Sequence, residues 1–318
     1  MIVKGDESNP FLFFENLAQR FNGSWNGEEY ASDNDFGKIQ SVTFGYMNSL
    51  YVGITELELS EEMIFENDPI TDRQFVSIRI GKIGDFNKKH SQAQQKDSIY
   101  IYNNLQKFKI VYPAKTKMSW FFIRFPKDIY DLLGTDKSSD FYQLISNPKP
   151  WFYYSPMLLN IEVLINEMYN VLHDKVVRRG LFLSKAIEII TRLREHGTAN
   201  KLSNIAYDIH PDDLDVMLQL KDEIIADFTK IPNVSQLSAE KGMSKSKLQR
   251  GFKSVFKMPI LHFFNHQRVL EGQRRIRTTH HDFTQIAIEL GYTDLSHFSR
   301  VYKQFLGKRP SEEIRNVE

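Results

Sequence analysis

Cysteine is absent from the 318 residues, which excludes disulfide staples, zinc–thiolate sites and cysteine nucleophiles and suits a reducing compartment. Histidine is scarce where a metal-dependent barrel enzyme would need it, since His90 is the only one before His173. Such an enzyme holds its ion with several histidines and a carboxylate, so neither a metal nor a cofactor is expected. Flanked by Lys88, Lys89 and Gln92, His90 reads as an exposed loop residue. No segment reaches the ~18 uninterrupted apolar residues of a membrane span, and Met1 to Pro10 lacks the basic and apolar regions of a secretory leader. The expectation is a cytoplasmic protein with no membrane partner. Phosphate-binding glycine loops, metal-ligand helices and nucleophile elbows are also missing, which makes an enzyme a distant second reading.

What is present is enough apolar material for more than one core, with 41% hydrophobic and 13% aromatic residues. The net charge of +1 hides a split. Between Lys230 and Arg309 there are 15 Lys+Arg against 5 Asp+Glu, a net of +10, and the remainder carries −9. A basic end on an acidic body is an electrostatic pointer to nucleic acid, although a solvated charged face explains many such runs.

From Asp35 to about Pro126 the chain reads as strands. Runs at Ile39–Phe44, Leu50–Leu59, Phe75–Ile80, Ser98–Tyr102, Phe108–Val111 and Met118–Phe125 are rich in β-branched and aromatic residues and are separated by turn formers. With no long helix between them they predict an antiparallel sandwich or small barrel. A short helix precedes them, because Phe11, Phe14, Leu17, Ala18 and Phe21 fall on one face. Tyr100, Tyr102, Tyr112, Trp120 and Phe122 could line an effector pocket; the commoner role for such residues is core.

The period then changes. Ser155-Pro156 reads as an N-cap with proline at the first helical position, and Leu158, Ile161, Ile165, Met168 and Leu172 recur at spacings of three and four. Leu183, Ala186, Ile190 and Leu193 repeat the pattern up to Gly197. The result is a helical hairpin. Its seam of Leu158, Ile161, Ile165, Met168, Leu183, Ile187 and Ile190 is either packed on the sheet or a dimer interface, and dimerisation is the expectation carried forward. After a connection at Asn200–His210, an amphipathic helix carries Leu214, Met217, Leu218, Ile224, Ile225 and Phe228 to Pro232-Asn233.

Two helix-turn-helix units follow. Each needs a short helix, a turn tight enough to want a left-handed residue, and a second helix with one apolar and one polar face. In the first, Val234 and Leu237 begin, Gly242 turns, Ser244 caps, and Leu248, Phe252, Val255 and Phe256 are buried. In the second, Ile286 and Ala287 begin, Gly291 turns, Thr293 or Asp294 caps, and Phe298, Val301, Tyr302 and Phe305 are buried. Leu248–Lys253 and Phe298–Lys303 share an apolar, any, Arg, any, aromatic, Lys pattern. The helix between them, Ile260–Arg277, spans roughly 27 Å, near the ~34 Å between successive major grooves on one face of DNA. Arginine and glutamine on such helices can form bidentate bonds to guanine and adenine edges.

At these residues the last hundred positions resemble the DNA-binding domain of the AraC/XylS family. The resemblance is carried by Ile286-Ala287, Gly291-Tyr292, Ser296-His297-Phe298-Ser299-Arg300, Phe305, Gly307 and Pro310-Ser311. It implies base reading by Ser246, Gln249 and Arg250 in the first unit and by Leu295, Ser296 and Arg300 in the second. Lys245, Lys253, Ser299 and Lys303 are assigned to phosphate. Lys247–Phe252 further resembles the branch containing the pyochelin regulator. Two positions depart from the family pattern: Ser238 stands where alanine is usual, and the usual tyrosine after Pro-Ser is replaced by Glu313 or displaced to Ile314. Gly251 inside the first reading helix suggests a close backbone approach.

The expected architecture is α+β and multidomain: an antiparallel, cupin-like sensing domain over 1–140, a hairpin linker over 141–210, and an all-α double helix-turn-helix domain over 211–318. The expected function is a DNA-binding activator that responds to a small effector, pairs as a homodimer and engages RNA polymerase on double-stranded DNA. Effector-independent or partner-controlled regulation is the alternative, and a ligand-binding or catalytic barrel with a nonspecific basic tail ranks below it.

Overall fold

The computed structural model describes residues 1–6, 8–67, 74–83, 98–133, 137–199, 206–207 and 210–313. His90, Ile314 and most of the connection 200–210 lie outside the described residues. The chain divides into two compact units, Met1–Asp215 and Val216–Glu318, where the sequence suggested three parts.

The first unit is built on a nine-stranded antiparallel sheet. Its centre is β4 (Gly37–Tyr46), β5 (Leu50–Leu59), β10 (Met118–Pro126), β7 (Phe75–Ile83) and β8 (Ser98–Asn103). The edges are β3 (Glu29–Asn34) and β2 (Ser24–Trp25) on one side, and β11 (Trp151–Pro156) and β12 (Ala206–Tyr207) on the other. A second sheet places β6 (Met63–Asn67) between β9 (Lys109–Tyr112), antiparallel, and β1 (Ile2–Gly5), parallel. The parallel pair departs from the all-antiparallel expectation.

Strand alternation sorts the core into two faces. Phe121, Ile123 and Phe125 of β10 join Val52, Ile54, Ile78, Ile80, Ile99 and Ile101 on one. Trp120 and Phe122 turn to the other, with Leu57, Phe65, Tyr112 and helix α1 (Pro10–Arg20), whose proline sits at the start of the helix behind an Asn9 cap.

All six strands expected from composition are present. The short edge strands were missed, as were β6, β11 and the helices α2 (Lys127–Leu133) and α3 (Asp140–Ile145). Ser155-Pro156 is a correction: it ends β11, where Ser155 pairs Ile99 and Pro156 pairs Ser98, and helix α4 begins at Leu159 without a side-chain cap.

Helix α4 (Leu159–Asn170) and helix α5 (Arg178–Ala199) form the hairpin, and the buried part of its seam is a second correction. Ile161, Ile165, Met168 and Ile190 are buried in the same apolar cluster as the sheet face. Side chains already removed from water by their own chain offer no further area to a second copy. Leu158, Leu183 and Ile187 remain half-buried. Among the described residues no helix is long and apolar enough to cross a membrane, and no group of three or more His, Asp or Glu side chains is placed to hold a metal.

The second unit is all helix. It takes the end of α6 (Pro211–Ile224), then α7 (Val234–Glu240), α8 (Lys245–Phe256), α9 (Ile260–Thr278), α10 (Phe283–Glu289) and α11 (Leu295–Leu306).

Candidate nucleic-acid interface

Helices α7 and α8 form the first helix-turn-helix. Asn233 caps α7 by accepting from the Ser235 and Gln236 amides, Gly242 takes the turn at φ +61°, and Ser244 caps α8 by accepting from the Lys247 amide at 3.2 Å. Leu248, Phe252, Val255 and Phe256 are buried. Phe252, Phe256 and Phe263 of α9 stack with ring centroids 4.5 to 5.3 Å apart. The opposite face exposes Lys245, Ser246, Lys247, Arg250 and Lys253, four cations and a hydroxyl on one helix. Gly251 lies against α6, where an added Cβ would sit 3.2 Å from the Met217 methyl; the neighbour is a side chain, not the close backbone approach that the residue suggested.

Helices α10 and α11 repeat the plan. Asp282 caps α10, accepting from Gln285 at 2.7 Å, and Gly291 turns at φ +76°. Asp294 caps α11 by accepting from His297 at 2.7 Å, and that backbone bond holds its carboxyl below the usual carboxylate range. Phe298 and Tyr302 are buried, while Ser296, Arg300 and Lys303 are exposed and Leu295 and Ser299 half-buried.

The structure therefore leaves Ser246, Arg250, Lys245 and Lys253, with Ser296, Arg300 and Lys303, facing water on the polar sides of two capped helices. Gln249 is placed differently from its neighbours. It is half-buried, and its Oε1 accepts from the Ile260 amide at the start of α9 at 3.4 Å.

Comparison with known proteins bears on this domain. A family described as a helix-turn-helix domain matches residues 237–316. The regulatory protein SoxS of Salmonella typhimurium is 31% identical over 80 residues, which is 25% of this chain and 75% of SoxS. The chain belongs to the AraC/XylS family. The transcriptional activator AarP of Providencia stuartii is 25% identical over 88 residues, 28% of this chain and 65% of AarP. Among solved structures, ToxT from Vibrio cholerae aligns with 83% of this chain and 97% of its own at 17% identity and a TM-score of 0.33. The protein is a DNA-binding transcription regulator of the AraC type.

Both departures from the AraC/XylS motif have a place in the packing. Ser238 is buried, and its hydroxyl donates to the Ser235 carbonyl at 2.9 Å, so the extra polar atom is satisfied within its own helix. The Glu313 carboxylate is fully buried among donors from α9, α11 and the segment after α11. Burial alone would raise its pKa, but bonds from Gln273, Lys308, Tyr302 and Arg277 outweigh this and bring it down to about 2.

Sequence reasoning missed the clamps that hold the second unit. Arg268 of α9 donates from Nε to the Leu290 carbonyl at 2.5 Å and stacks 3.7 Å from the Tyr292 ring centroid. Burial of the Tyr292 phenol pushes its pKa up to about 12. Arg275 bridges Glu271 on its own helix and Glu289 of α10, at 2.7 and 2.8 Å. These arginines lie on α9, whose charges read in sequence as part of the basic footprint; only the fold shows them turned inward.

Proposed function

We propose that this regulator docks α8 and α11 in successive major grooves, with Ser246, Arg250, Ser296 and Arg300 reading bases and Lys245, Lys253, Ser299 and Lys303 holding phosphates. The observation that carries this reading is the repeated geometry: two capped helices, each exposing an arginine and a lysine from the pattern Arg-x-x-Lys. At ~1.5 Å per residue the 19 residues of α9 span roughly 28 Å, close to the groove spacing. Gln249 and Leu295 read bases only if they leave their half-buried positions. DNase footprinting with a randomised-site selection tests the proposal: a defined protected sequence supports it, and protection without sequence preference sinks it.

Activation through RNA polymerase, response to a small effector, pairing as a homodimer and a cytoplasmic location complete the reading. We take the first unit, with its two sheets and helix α1, as the cupin-like sensing part. Support for an effector comes from an apolar cavity between the sheets, lined by Phe13, Phe14, Leu17, Leu57, Trp120 and Phe122, with Thr55 and Arg124 as polar members. Its volume of about 40 Å³ is far below the roughly 300 Å³ of an ordinary ligand site. That favours, as a second reading, control by a partner protein. For the homodimer, Leu158, Leu183 and Ile187 are the seam residues left with exposed area. Transcription in vitro from the selected site, with and without candidate effectors, separates the two readings: an unchanged yield over every small molecule, with a change on adding cell extract, selects the partner.

A further inference from the structure

The second reading helix is fixed to α9 through one carboxylate. Glu313 Oε1 accepts from Gln273 Nε2 at 2.8 Å, from the Tyr302 hydroxyl at 2.8 Å and from Lys308 Nζ at 3.0 Å. Its Oε2 accepts from Arg277 Nε and Nη2 at 3.0 and 2.8 Å. Gln273 and Arg277 lie on α9, four residues apart and so on one face; Tyr302 lies on α11, two residues and so about half a turn beyond Arg300. The side chain has no exposed area. Apolar packing alone sets a distance between two helices but leaves rotation about the helix axis soft, whereas charge-assisted bonds to a fixed carboxylate are directional. Next to this bond set the Phe298 ring of α11 lies tight against Gly272 of α9: a Cβ added there would meet it at 2.9 Å.

We infer that Glu313 is a positioning residue for DNA reading, fixing the rotation of α11 on α9 so that Ser296 and Arg300 meet the bases in register with α8. The inference rests on the major-groove reading above. Among the described residues no carboxylate joins α8 to α9; those helices meet through the Phe252, Phe256 and Phe263 rings and one long bond from the Ile260 amide to Gln249 Oε1. Loss of Glu313 therefore affects the two grooves unequally. The base pairs under α11 lose their preference while those under α8 keep it, and phosphate-driven nonspecific binding stays near its starting value.

The test is a titration of the full chain against a panel of single-base-pair substitutions in its selected site, with Arg250→Ala and Arg300→Ala run alongside to mark which base pairs belong to each helix. Glu313→Gln keeps the shape and removes the charge. It should weaken the specific site by about tenfold, as expected for loss of charge-assisted bonds, flatten the α11 base pairs and leave nonspecific affinity within about twofold. Tyr302→Phe removes one of the bonds while keeping the ring in its packing. It should give the same pattern, smaller, and it stands in if Glu313→Gln does not fold. An unchanged panel overturns the inference, and so does equal flattening under both helices, because a merely structural role spreads its loss. If Arg250→Ala and Arg300→Ala relax no base pair, the major-groove reading itself has failed, and that outcome is recognised without reference to Glu313.

Discussion

In the first helix-turn-helix, α8 meets α9 through Phe252, Phe256 and Phe263, and its turn glycine has open space around it. In the second, α10 and α11 meet α9 through Arg268, Arg275 and the Glu313 bond set, and its turn glycine is walled in by backbone. The same sequence grammar is thus supported mainly by aromatic packing in one copy, and in the other by a set of directional polar bonds added to the packing of Phe298 on α9. The outer faces differ as well: α8 exposes three lysines and one arginine, whereas α11 exposes Arg300 and Lys303 beside serines. On the proposed major-groove reading, the first copy holds DNA with less regard to orientation, and the second holds a fixed orientation with less charge.

Alanine at the two turn glycines gives the largest contrast. A Cβ on Gly242 meets nothing within 4 Å, while one on Gly291 would lie 2.6 Å from the Thr229 Cα and 3.1 Å from the Phe228 carbonyl oxygen. Both positions carry positive φ, so Gly242→Ala should cost about 1 kcal/mol from the left-handed backbone alone. Gly291→Ala adds a backbone clash and should cost roughly 3 kcal/mol or more. Urea unfolding of the full chain measures both; equal costs would remove the contrast between the turns.

Acid should act on the second copy through α9. His266 stacks on Phe305 of α11 with centroids 5.4 Å apart, and burial, helped by the charge of neighbouring His262, brings its pKa down to about 4. Between the unfolded value near 6.5 and that folded value, the unfolded chain binds a proton that the native one refuses. Stability therefore falls as pH drops through this window, by up to roughly 3 kcal/mol. His266→Gln should abolish that slope between pH 6.5 and 4.5 in urea melts, and an unchanged slope would assign it to other groups.

The two arginines test whether both copies read sequence. Arg250→Ala and Arg300→Ala should each cost ~1 to 3 kcal/mol on the selected site and relax preference at base pairs about ten apart, whereas Lys253→Ala and Lys303→Ala should weaken all sequences alike and reduce the salt slope by roughly one unit each. A uniform loss for either arginine would reduce that copy to a phosphate anchor.

Much of the two helix-turn-helix units was legible in sequence because their signals are local. Gly242 and Gly291 mark φ values that few other residues tolerate, and Ser244 and Asp294 cap helices from the position before their first turn. Six strands, β4, β5, β7, β8, β9 and β10, were legible from β-branched and aromatic runs. Edge strands such as β2 and β12 have two residues each, too few for a period to show. Trp151–Pro156 is a strand only because β8 lies beside it; locally, Ser155-Pro156 signals a helix start. The hairpin seam is a related case, since three-and-four spacing shows that a face is buried and leaves open what buries it. Here the sheet does. Gln249 and Glu313 depend on partners at Ile260 and on α9, and such long-range bonds leave no mark in a local pattern.

The last contrast lies where α8 and α11 end. Each stops with a left-handed residue whose amide donates to the carbonyl four residues back, Lys257 at φ +61° after α8 and Gly307 at φ +74° after α11. Glycine adopts this conformation without strain and lysine does not, at a cost of about 1 kcal/mol. Burial also depresses the Lys257 ammonium to about 8, so at neutral pH the native state holds a charge that its surroundings disfavour. Lys257→Gly should therefore stabilise the protein by roughly 1 kcal/mol through the backbone, with a further gain at pH 7 from removing the disfavoured charge. Between pH 8 and the unfolded value near 10.5, the unfolded wild type keeps a proton that the native state has shed, so wild-type stability rises with pH and the advantage of the variant shrinks. Paired urea melts at pH 7 and pH 10 measure both parts. An advantage that does not shrink leaves backbone strain as the whole difference between the two helix ends, and no advantage at all would mean that Lys257 is held there by something its glycine counterpart does not need.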